Sequence, residues 1–289
     1  MRWQGRQGSD NVEDARGGSG TSRAVGGVGL GVIVMAIIIQ LLGGDGCAVI
    51  QQAATSQPQT QQTQHQSSEE EDALAQFVSV VLKDTEDVWN KLFPEQLGRQ
   101  YQEPILKIFT GQVSSACGHA SAATGPFYCP GDHKLYIDLA FYKQLQTQFK
   151  APGDFAMAYV VAHEAGHHVQ NLLGYTNYLH KQRRSISEKD YNKLSVRLEL
   201  MADYLAGVWA HHANKMNNIL EEGDIEEAMR AAHAIGDDTI QKRGRGYVVP
   251  DSFTHGTSEQ RVKSFRAGLE NGRIDKELLD AFFDMSREL

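Results

Sequence analysis

The segment VVAHEAGHHVQNLLG, residues 160–174, places three histidines and one glutamate in an otherwise apolar stretch. Its apolar spacing predicts a helix, on which side chains four residues apart lie on the same face. His163 and His167 therefore converge on one point, whereas His168 is rotated by about 100° and cannot join them. Because buried imidazoles need polar partners, the fold must bring such partners to this helix.

His163, Glu164 and His167 form an HExxH pattern, in which two histidines bind zinc and the glutamate acts as a general base toward water. A catalytic zinc site has three protein ligands and a water in the fourth position. The alternative is a core helix that carries the pattern by chance. A third ligand elsewhere in the sequence is therefore what separates the two interpretations.

The segment RLELMADYLAGVWAHH, residues 197–212, supplies a third ligand. Glu199 and Asp203 are four residues apart on a predicted helix, so both face the same side. We predict that Glu199 binds the metal and that Asp203 accepts the second ring N–H of a ligand histidine. The alternative is the solvated face of an amphipathic helix. Three small residues would let the two helices approach closely: Ala202, Ala206 and Gly207.

HExxH followed 32 residues later by ExxxD resembles the gluzincin class of metallopeptidases. The chain resembles more closely the bacterial YpfJ-like putative neutral zinc metallopeptidase family, and the similarity runs nearly end to end. The resemblance implies a zincin-like fold, one Zn²⁺ per chain and the activity of a zinc metalloendopeptidase on a protein or peptide substrate. The segments that carry it are MRWQGRQGSDNVEDARG, CGHASAATGPFYCPGDHKLYIDLAFY, GDFAMAYVVAHEAGHHVQNLLG, ELMADYLAGVWAHH and HGTSEQRVKSFRAGL.

Hydrolysis at such a site needs a hydrogen-bond donor for the negative tetrahedral intermediate, besides Glu164 as the base. His255 is our candidate, since many gluzincins place this residue downstream, and Tyr204 and Tyr247 are rivals. The alternative for His255 is a residue at the entry of a helix, ahead of the TSEQ capping box. Arg261 is expected to anchor this segment.

Two other functions use the same residues. One is a zincin-fold adaptor or binding protein of the cell envelope without turnover, and the other is a zinc amidase that acts on a cell-wall crosslink. Glu164 argues against the adaptor, because a protein without turnover needs no general base. Nucleic acid is not an expected partner, since the formal charge is −8 and no basic stripe is present.

Residues 25–42, VGGVGLGVIVMAIIIQLL, form an uncharged, mostly apolar run of 18 residues, enough to cross a bilayer as a helix. We predict a single transmembrane anchor; a cleaved secretory signal is the alternative, but its apolar region is usually about 7–15 residues long. The positive-inside rule then places residues 1–24 in the cytoplasm and the remainder on the periplasmic or extracytoplasmic side of the bacterial inner membrane. The arginines that set this orientation are Arg2, Arg6, Arg16 and Arg23. Cys47 is a weak candidate for lipid attachment.

Residues 51–72 contain eight glutamines and no large apolar residue, so we predict a disordered, glutamine-rich linker over residues 43–69. Residues 70–289 are predicted as the peptidase domain, of α+β class, mainly helical with a small sheet. The pieces PILKIFTG, GPFYCPGD and KLYIDL are predicted as strands. Helices are predicted at about 74–92, 139–149, 153–173, 188–213, 224–235, 258–271 and 275–286.

Cys117 and Cys129 lie twelve residues apart in a compartment predicted to be oxidising, which favours a disulfide over free thiols. KLYIDLAFY is predicted either as an edge strand that pairs with a substrate peptide or as an interior strand of the sheet. His180, His211 and His212 are expected at the surface or at helix ends. His119 and His133 have no predicted role.

Overall fold

The computed structural model describes residues 1–16 and 68–284. This part of the chain is mainly helical, with one four-stranded sheet and one hairpin, which confirms the predicted α+β class. None of its helices is long and apolar enough to span a membrane. The predicted transmembrane anchor, residues 25–42, and nearly all of the predicted linker, residues 43–69, lie outside the described residues.

Helix α1, Glu69–Leu92, begins where the acidic cluster predicts the start of the domain. The Ser68 hydroxyl accepts a hydrogen bond from the Glu71 N–H, and the Glu71 carboxylate accepts one from the Ser68 N–H. Four acidic residues in the first turn complement the positive end of the helix dipole. Phe77 and Trp89 are among the residues that α1 buries in the core.

Eight further α-helices are described after α1, and six of them lie on segments predicted to be helical. The other two, α4 and α7, were not predicted, because α4 follows a glycine directly and α7 is a strongly polar helix. The bounds are α2 Ala140–Thr147, α3 Asp154–Leu173, α4 Tyr175–Gln182, α5 Glu188–Asn217, α6 Asp224–Ala234, α7 Asp237–Arg245, α8 Ser258–Asn271 and α9 Lys276–Ala281.

Helices α3 and α5 pack closely at the centre of the core, and small side chains permit the approach. A Cβ on Gly166 would lie 3.1 Å from the carbonyl oxygen of Ala202, so the backbones come close there. Ala202 therefore has the predicted role. Gly207 instead faces α8, since a Cβ there would lie 2.0 Å from the carbonyl oxygen of Phe265. The small residues of α5 thus serve two different helix contacts.

The four-stranded sheet has the order β1–β2–β6–β5. Strands β1, β2 and β6 are parallel, and β5 pairs antiparallel with β6. The predicted segment KLYIDL forms β6, which is interior, so the edge-strand interpretation of KLYIDLAFY is wrong. The edge is β5. The bounds are β1 Val12–Asp14, β2 Ile105–Phe109, β5 Phe127–Cys129 and β6 Lys134–Asp138.

A hairpin of β3 Gln112–Ser115 and β4 Gly118–Ser121 precedes β5. Cys117 at its turn forms the predicted disulfide with Cys129 of β5, and the two Cα atoms are 5.8 Å apart. A loop of this length closed by a disulfide stabilises the fold by about 3 kcal/mol in the chain-entropy model. The bond therefore ties the hairpin to the sheet edge.

Residues 1–16 belong to the same compact unit as the chain from residue 68 onward. The positive-inside rule predicts a separate cytoplasmic segment at residues 1–24, but Val12–Asp14 form β1 and pair with β2. Met1 is buried in the same hydrophobic core as α1 and α3. The pairing of β1 with β2 was not predicted, because short-range sequence patterns give no sign of a three-residue strand whose partner lies more than ninety residues away.

Candidate metal centre

The three predicted ligands, His163, His167 and Glu199, meet between α3 and α5. His163 Nε2 lies 3.2 Å from Glu199 Oε2, and His167 Nε2 lies 3.4 Å from Glu199 Oε1. One donor atom from each of the three residues can be chosen so that all lie within 4.8 Å of one another. The i and i+4 spacing on α3 and the close approach of α5 produce this arrangement. The ligand set that the sequence predicts is therefore assembled in space.

Asp203 orients His163 from the side opposite Glu199. His163 Nδ1 lies 2.9 Å from Asp203 Oδ1, so the ring donates its Nδ1–H there and leaves Nε2 free to bind a metal. The hydroxyl of Tyr159 donates to the same Asp203 oxygen. Asp203 is fully buried. It occupies the supporting position that the sequence predicts for it.

Arg261 neutralises Asp203. Its Nε donates to Asp203 Oδ2 at 2.8 Å and its Nη2 to Asp203 Oδ1 at 3.0 Å. Both side chains are buried. Burial alone would raise the pKa of Asp203, but the positive charges of Arg261 and His163 outweigh burial, so the pKa of Asp203 is lowered. Arg261 also donates to the carbonyl oxygen of Ile235 at 3.4 Å. The predicted anchoring role of Arg261 agrees with these contacts.

His167 has a different supporting group. Its Nδ1 lies 2.9 Å from Gln170 Oε1, and Gln170 Nε2 donates to the carbonyl oxygen of Leu198 at 2.6 Å. Gln170 thus links α3 to the turn of α5 that carries Glu199. One ligand histidine is supported by a carboxylate and the other by a neutral amide.

The electrostatics of the site favour a cation between the two imidazoles. Burial opposes protonation of His163, yet Asp203 and Glu199 raise its pKa to about 10. Burial likewise opposes ionisation of Glu199, yet the two histidines hold its pKa well below the usual range. Zn²⁺ fits this position, because two imidazole nitrogens and one carboxylate are ligands of catalytic zinc sites. Metal and protons compete for these nitrogens.

Glu164 lies beside the ligand set in an open cleft of about 570 Å³. Glu164 is 8% exposed, so it is buried from bulk solvent but still lines the cleft. His163, His167 and Glu199 line the same cleft. The predicted general base therefore lines the same cleft as the three predicted ligands.

His255 also lines this cleft, and Asp237 holds the loop that carries it. Asp237 Oδ2 accepts hydrogen bonds from the backbone N–H groups of Thr254, His255 and Gly256 at 2.7, 2.6 and 3.1 Å. His255 Nδ1 lies 3.3 Å from Asp237 Oδ1. This hydrogen bond raises the pKa of His255. Because Asp237 engages Nδ1, Nε2 is the ring nitrogen of His255 that is left for a substrate.

The two rival donors lie elsewhere. The Tyr204 hydroxyl donates to the carbonyl oxygen of Arg273 at 2.9 Å, and Tyr204 is only 2% exposed. Tyr247 is 62% exposed, and its ring packs under Arg245. Neither tyrosine is among the residues that line the cleft. Of the three candidate donors, only His255 lines the cleft.

His168 is outside the ligand set, as helical geometry predicts. Its Nε2 donates to the carbonyl oxygen of Gln102 at 2.6 Å, and its Nδ1 accepts from the Tyr128 hydroxyl at 2.9 Å. Burial lowers its pKa to about 4, so it is neutral at pH 7. Asn171 donates to the same hydroxyl at 3.0 Å. His168 therefore positions Tyr128, which lines the cleft.

Five other histidines lie away from the ligand positions. His211 and His212 are half-buried within α5, six and five residues before its end, and not at the surface or at a helix end as expected. They bond to the carbonyl oxygens of Leu269 and Gly272 at the end of α8. His180 is exposed, as expected, but it also lines the cleft. The two without a predicted role are His119, which bonds to Ser114 in the hairpin, and His133, whose ring packs against that of His168.

A second acidic group of the described residues comprises Asp154, Asp224 and Glu227. The amino group of Met1 lies 2.7 Å from Asp154 Oδ1 and 3.3 Å from Asp224 Oδ1. A cationic group of the protein thus already occupies this position.

Three supporting residues were not predicted: Tyr159, Gln170 and Asp237. Tyr159 stands four residues before His163 and Gln170 stands three after His167, so helical spacing applied in both directions would have found them. Asp237 had no such signal, because it reaches His255 across eighteen positions of the chain. Only the fold brings these two residues together.

Comparisons with known proteins agree with the site. The chain matches the model of a family described as putative neutral zinc metallopeptidase over residues 1–281. It is 46% identical over 279 residues to "Uncharacterized protein YpfJ" of Escherichia coli (strain K12), covering 94% of this chain and 96% of that protein. It is 41% identical over 205 residues to "Uncharacterized protein Mb2605" of Mycobacterium bovis, covering 68% of this chain and 66% of that protein. No solved structure matches significantly. The chain belongs to the putative neutral zinc metallopeptidase family.

Proposed function

We propose that the protein is a zinc endopeptidase that hydrolyses peptide bonds of extracytoplasmic proteins. The observation that carries this proposal is the meeting of His163, His167 and Glu199 beside Glu164 in an open cleft. The first three supply the ligands of a catalytic zinc, and the fourth supplies the base that hydrolysis requires. The family membership supports the same reaction class.

Each residue of the site has a separate role in the proposed hydrolysis. When bound by His163, His167 and Glu199, zinc would activate a water and polarise the scissile carbonyl. Glu164 accepts a proton from the attacking water and passes it to the nitrogen of the leaving amine. His255 donates a hydrogen bond to the carbonyl oxygen as negative charge develops there. Asp203 and Gln170 hold the two imidazoles in the required orientation.

The walls of the cleft support an extended peptide as the substrate. Most of the lining is apolar or aromatic, and the edge strand β5 runs along it, so a peptide could pair with β5 while its side chains meet the apolar wall. We therefore propose a preference for bulky apolar side chains near the scissile bond. The apolar and aromatic lining includes Phe127, Tyr128, Phe141, Phe149, Val160, Leu198 and Ile240.

An extracytoplasmic location is part of the proposal. The disulfide between Cys117 and Cys129 supports it, because such bonds persist in oxidising compartments. The apolar run at residues 25–42 supports attachment to the bacterial membrane.

The test compares protein N-termini from the envelope of two strains, one with the wild-type protein and one with Glu164→Gln. The proposal expects new N-termini in the wild-type strain alone, with apolar residues flanking the cleavage sites. Identical N-termini in both strains, together with full complementation by Glu164→Gln, would favour the adaptor. Release of cell-wall fragments by the wild type without new protein N-termini would favour the amidase.

His255→Gln is expected to lower kcat by a factor of about 10²–10³ without changing zinc content, because it removes a donor to the oxyanion. Since Asp237 raises the pKa of His255, activity should fall as pH rises through that pKa and the donor loses its proton. Asp237→Asn should move this alkaline limb to lower pH. A pH profile of kcat checks both variants, and an unchanged alkaline limb in Asp237→Asn would contradict the role.

A further inference from the structure

Residues 1–16, the N-terminal segment, are attached to the rest of the described chain by a sheet pairing, buried polar contacts and core packing. We propose that the N-terminal segment is a structural part of the peptidase domain and that both lie on the same side of the membrane. This differs from the orientation that the arginine distribution predicts, and it goes beyond the proposed function.

The first support is the sheet. Val12, Glu13 and Asp14 pair in parallel with Leu106, Lys107 and Ile108 of β2, so β1 covers that edge. Glu13 forms an ion pair with Lys134 of β6 and lies 3.6 Å from Lys107 Nζ. Parallel strands are joined by long connections, so this pairing is a long-range contact rather than a local hairpin.

The second support is a set of buried acidic side chains on α1 whose partners come from the N-terminal segment. Asp84 is fully buried and forms a two-pronged hydrogen bond with Arg6, one contact of which measures 2.7 Å. Glu86 is 2% exposed and accepts hydrogen bonds from Ser9 Oγ at 2.6 Å and Asn11 Nδ2 at 2.9 Å. Buried carboxylates left without such partners are strongly unfavourable.

The third support is packing against the core. The ring of Trp3 meets Phe77 of α1 edge to face, with centroids 5.3 Å apart. Gly8 lies so close to α1 that a Cβ there would be 3.1 Å from Ser79 Cβ. The backbone N–H of Ser9 donates to the carbonyl oxygen of Ser79 at 3.0 Å. Contact thus extends along the N-terminal segment from Trp3 to Asp14.

These contacts bear directly on membrane topology. A chain that crossed the bilayer once between residues 16 and 68 would hold the N-terminal segment and the domain on opposite faces. None of the contacts to α1 and β2 could then form, and Asp84 and Glu86 would be buried without Arg6, Ser9 and Asn11. A single crossing between these residues is therefore incompatible with the proposal.

The docking is tested by a disulfide in the full-length protein in sealed native membranes. In a Cys47→Ser background, Gly8→Cys with Ser79→Cys places two Cβ atoms near the separation of about 3.5–4.5 Å that a disulfide needs. A protease site inserted between residues 55 and 56 then allows the chain to be cut after oxidation. The proposal expects the two fragments to stay joined on a gel until reductant is added.

Gly8→Cys alone in the same background is the matched control, and its fragments should separate without reductant. If the fragments of the double variant also separate without reductant, the docking is overturned. The double variant must retain the zinc content of the wild type, which shows that it is folded.

The shared side is tested separately with a membrane-impermeant maleimide on intact spheroplasts. Gln4 and Lys189 are both exposed, one in the N-terminal segment and one on α5. We expect Gln4→Cys and Lys189→Cys to behave alike: either both are labelled before lysis or both only after it. Labelling of one before lysis and of the other only after lysis overturns the proposal.

Discussion

Glu164→Gln is expected to retain its zinc and to lose peptide hydrolysis by a factor of about 10²–10⁴, the usual contribution of a general base. The amide keeps the shape of the side chain beside His163 but cannot accept a proton from water. Zinc retention is expected because Glu164 is not among the three residues whose donor atoms meet. Zinc analysis and kcat/KM on a peptide substrate measure the two effects.

Glu199→Gln is the matched control for this prediction. It makes the same chemical change at the other glutamate of the cleft, but there it removes a charged ligand, so zinc and activity should be lost together. Loss of a general base usually lowers the rate at least about 100-fold. If Glu164→Gln kept more than about a tenth of wild-type kcat/KM, the loss would be too small and Glu164 would not be the base. If Glu164→Gln lost its zinc, it would belong to the ligand set instead.

Arg261→Met is expected to lower the free energy of unfolding of the metal-free protein by about 3–5 kcal/mol, as removal of one partner of a buried ion pair usually does. Methionine fills a similar volume, but it leaves Asp203 fully buried without its counter-charge. Urea denaturation with a chelator present measures this effect, because bound zinc would add its own stabilisation.

The double variant Asp203→Asn/Arg261→Met separates charge from packing. Because it removes the buried negative charge as well, it should be less destabilised than Arg261→Met alone. If the single variant lost less than about 1 kcal/mol, an amount typical of a surface pair, Arg261 would not be the group that neutralises Asp203. If both variants lost the same amount, the effect would come from packing rather than from the unpaired charge.

Those features of the fold that depend on local spacing were predictable from the sequence. The i and i+4 spacing on α3 and α5 placed His163, His167, Glu199 and Asp203 on facing surfaces before their contacts were seen. The capping residues and the acidic first turn located the start of α1. Local helix geometry was therefore enough to predict both the ligand set and the main helices.

Features that depend on distant partners were not predictable. β1 carries only three residues, and its pairing with β2 appears only in the folded chain. Asp237 supports His255 through backbone contacts that no sequence spacing encodes. The order of strands placed β5, rather than β6, at the sheet edge beside the cleft. In each case tertiary packing determines the partner, and short segments of sequence do not indicate it.

The most direct test of the zinc peptidase account is the metal content of the purified full-length protein. We expect about one zinc per chain in the wild type, as in mononuclear catalytic sites, and loss of that zinc in His163→Ala, His167→Ala and Glu199→Ala. His168→Ala, which removes the neighbouring histidine that binds Gln102 and Tyr128, should keep its zinc. A folded wild-type protein without zinc, or one whose zinc survives loss of all three ligands, would contradict the account.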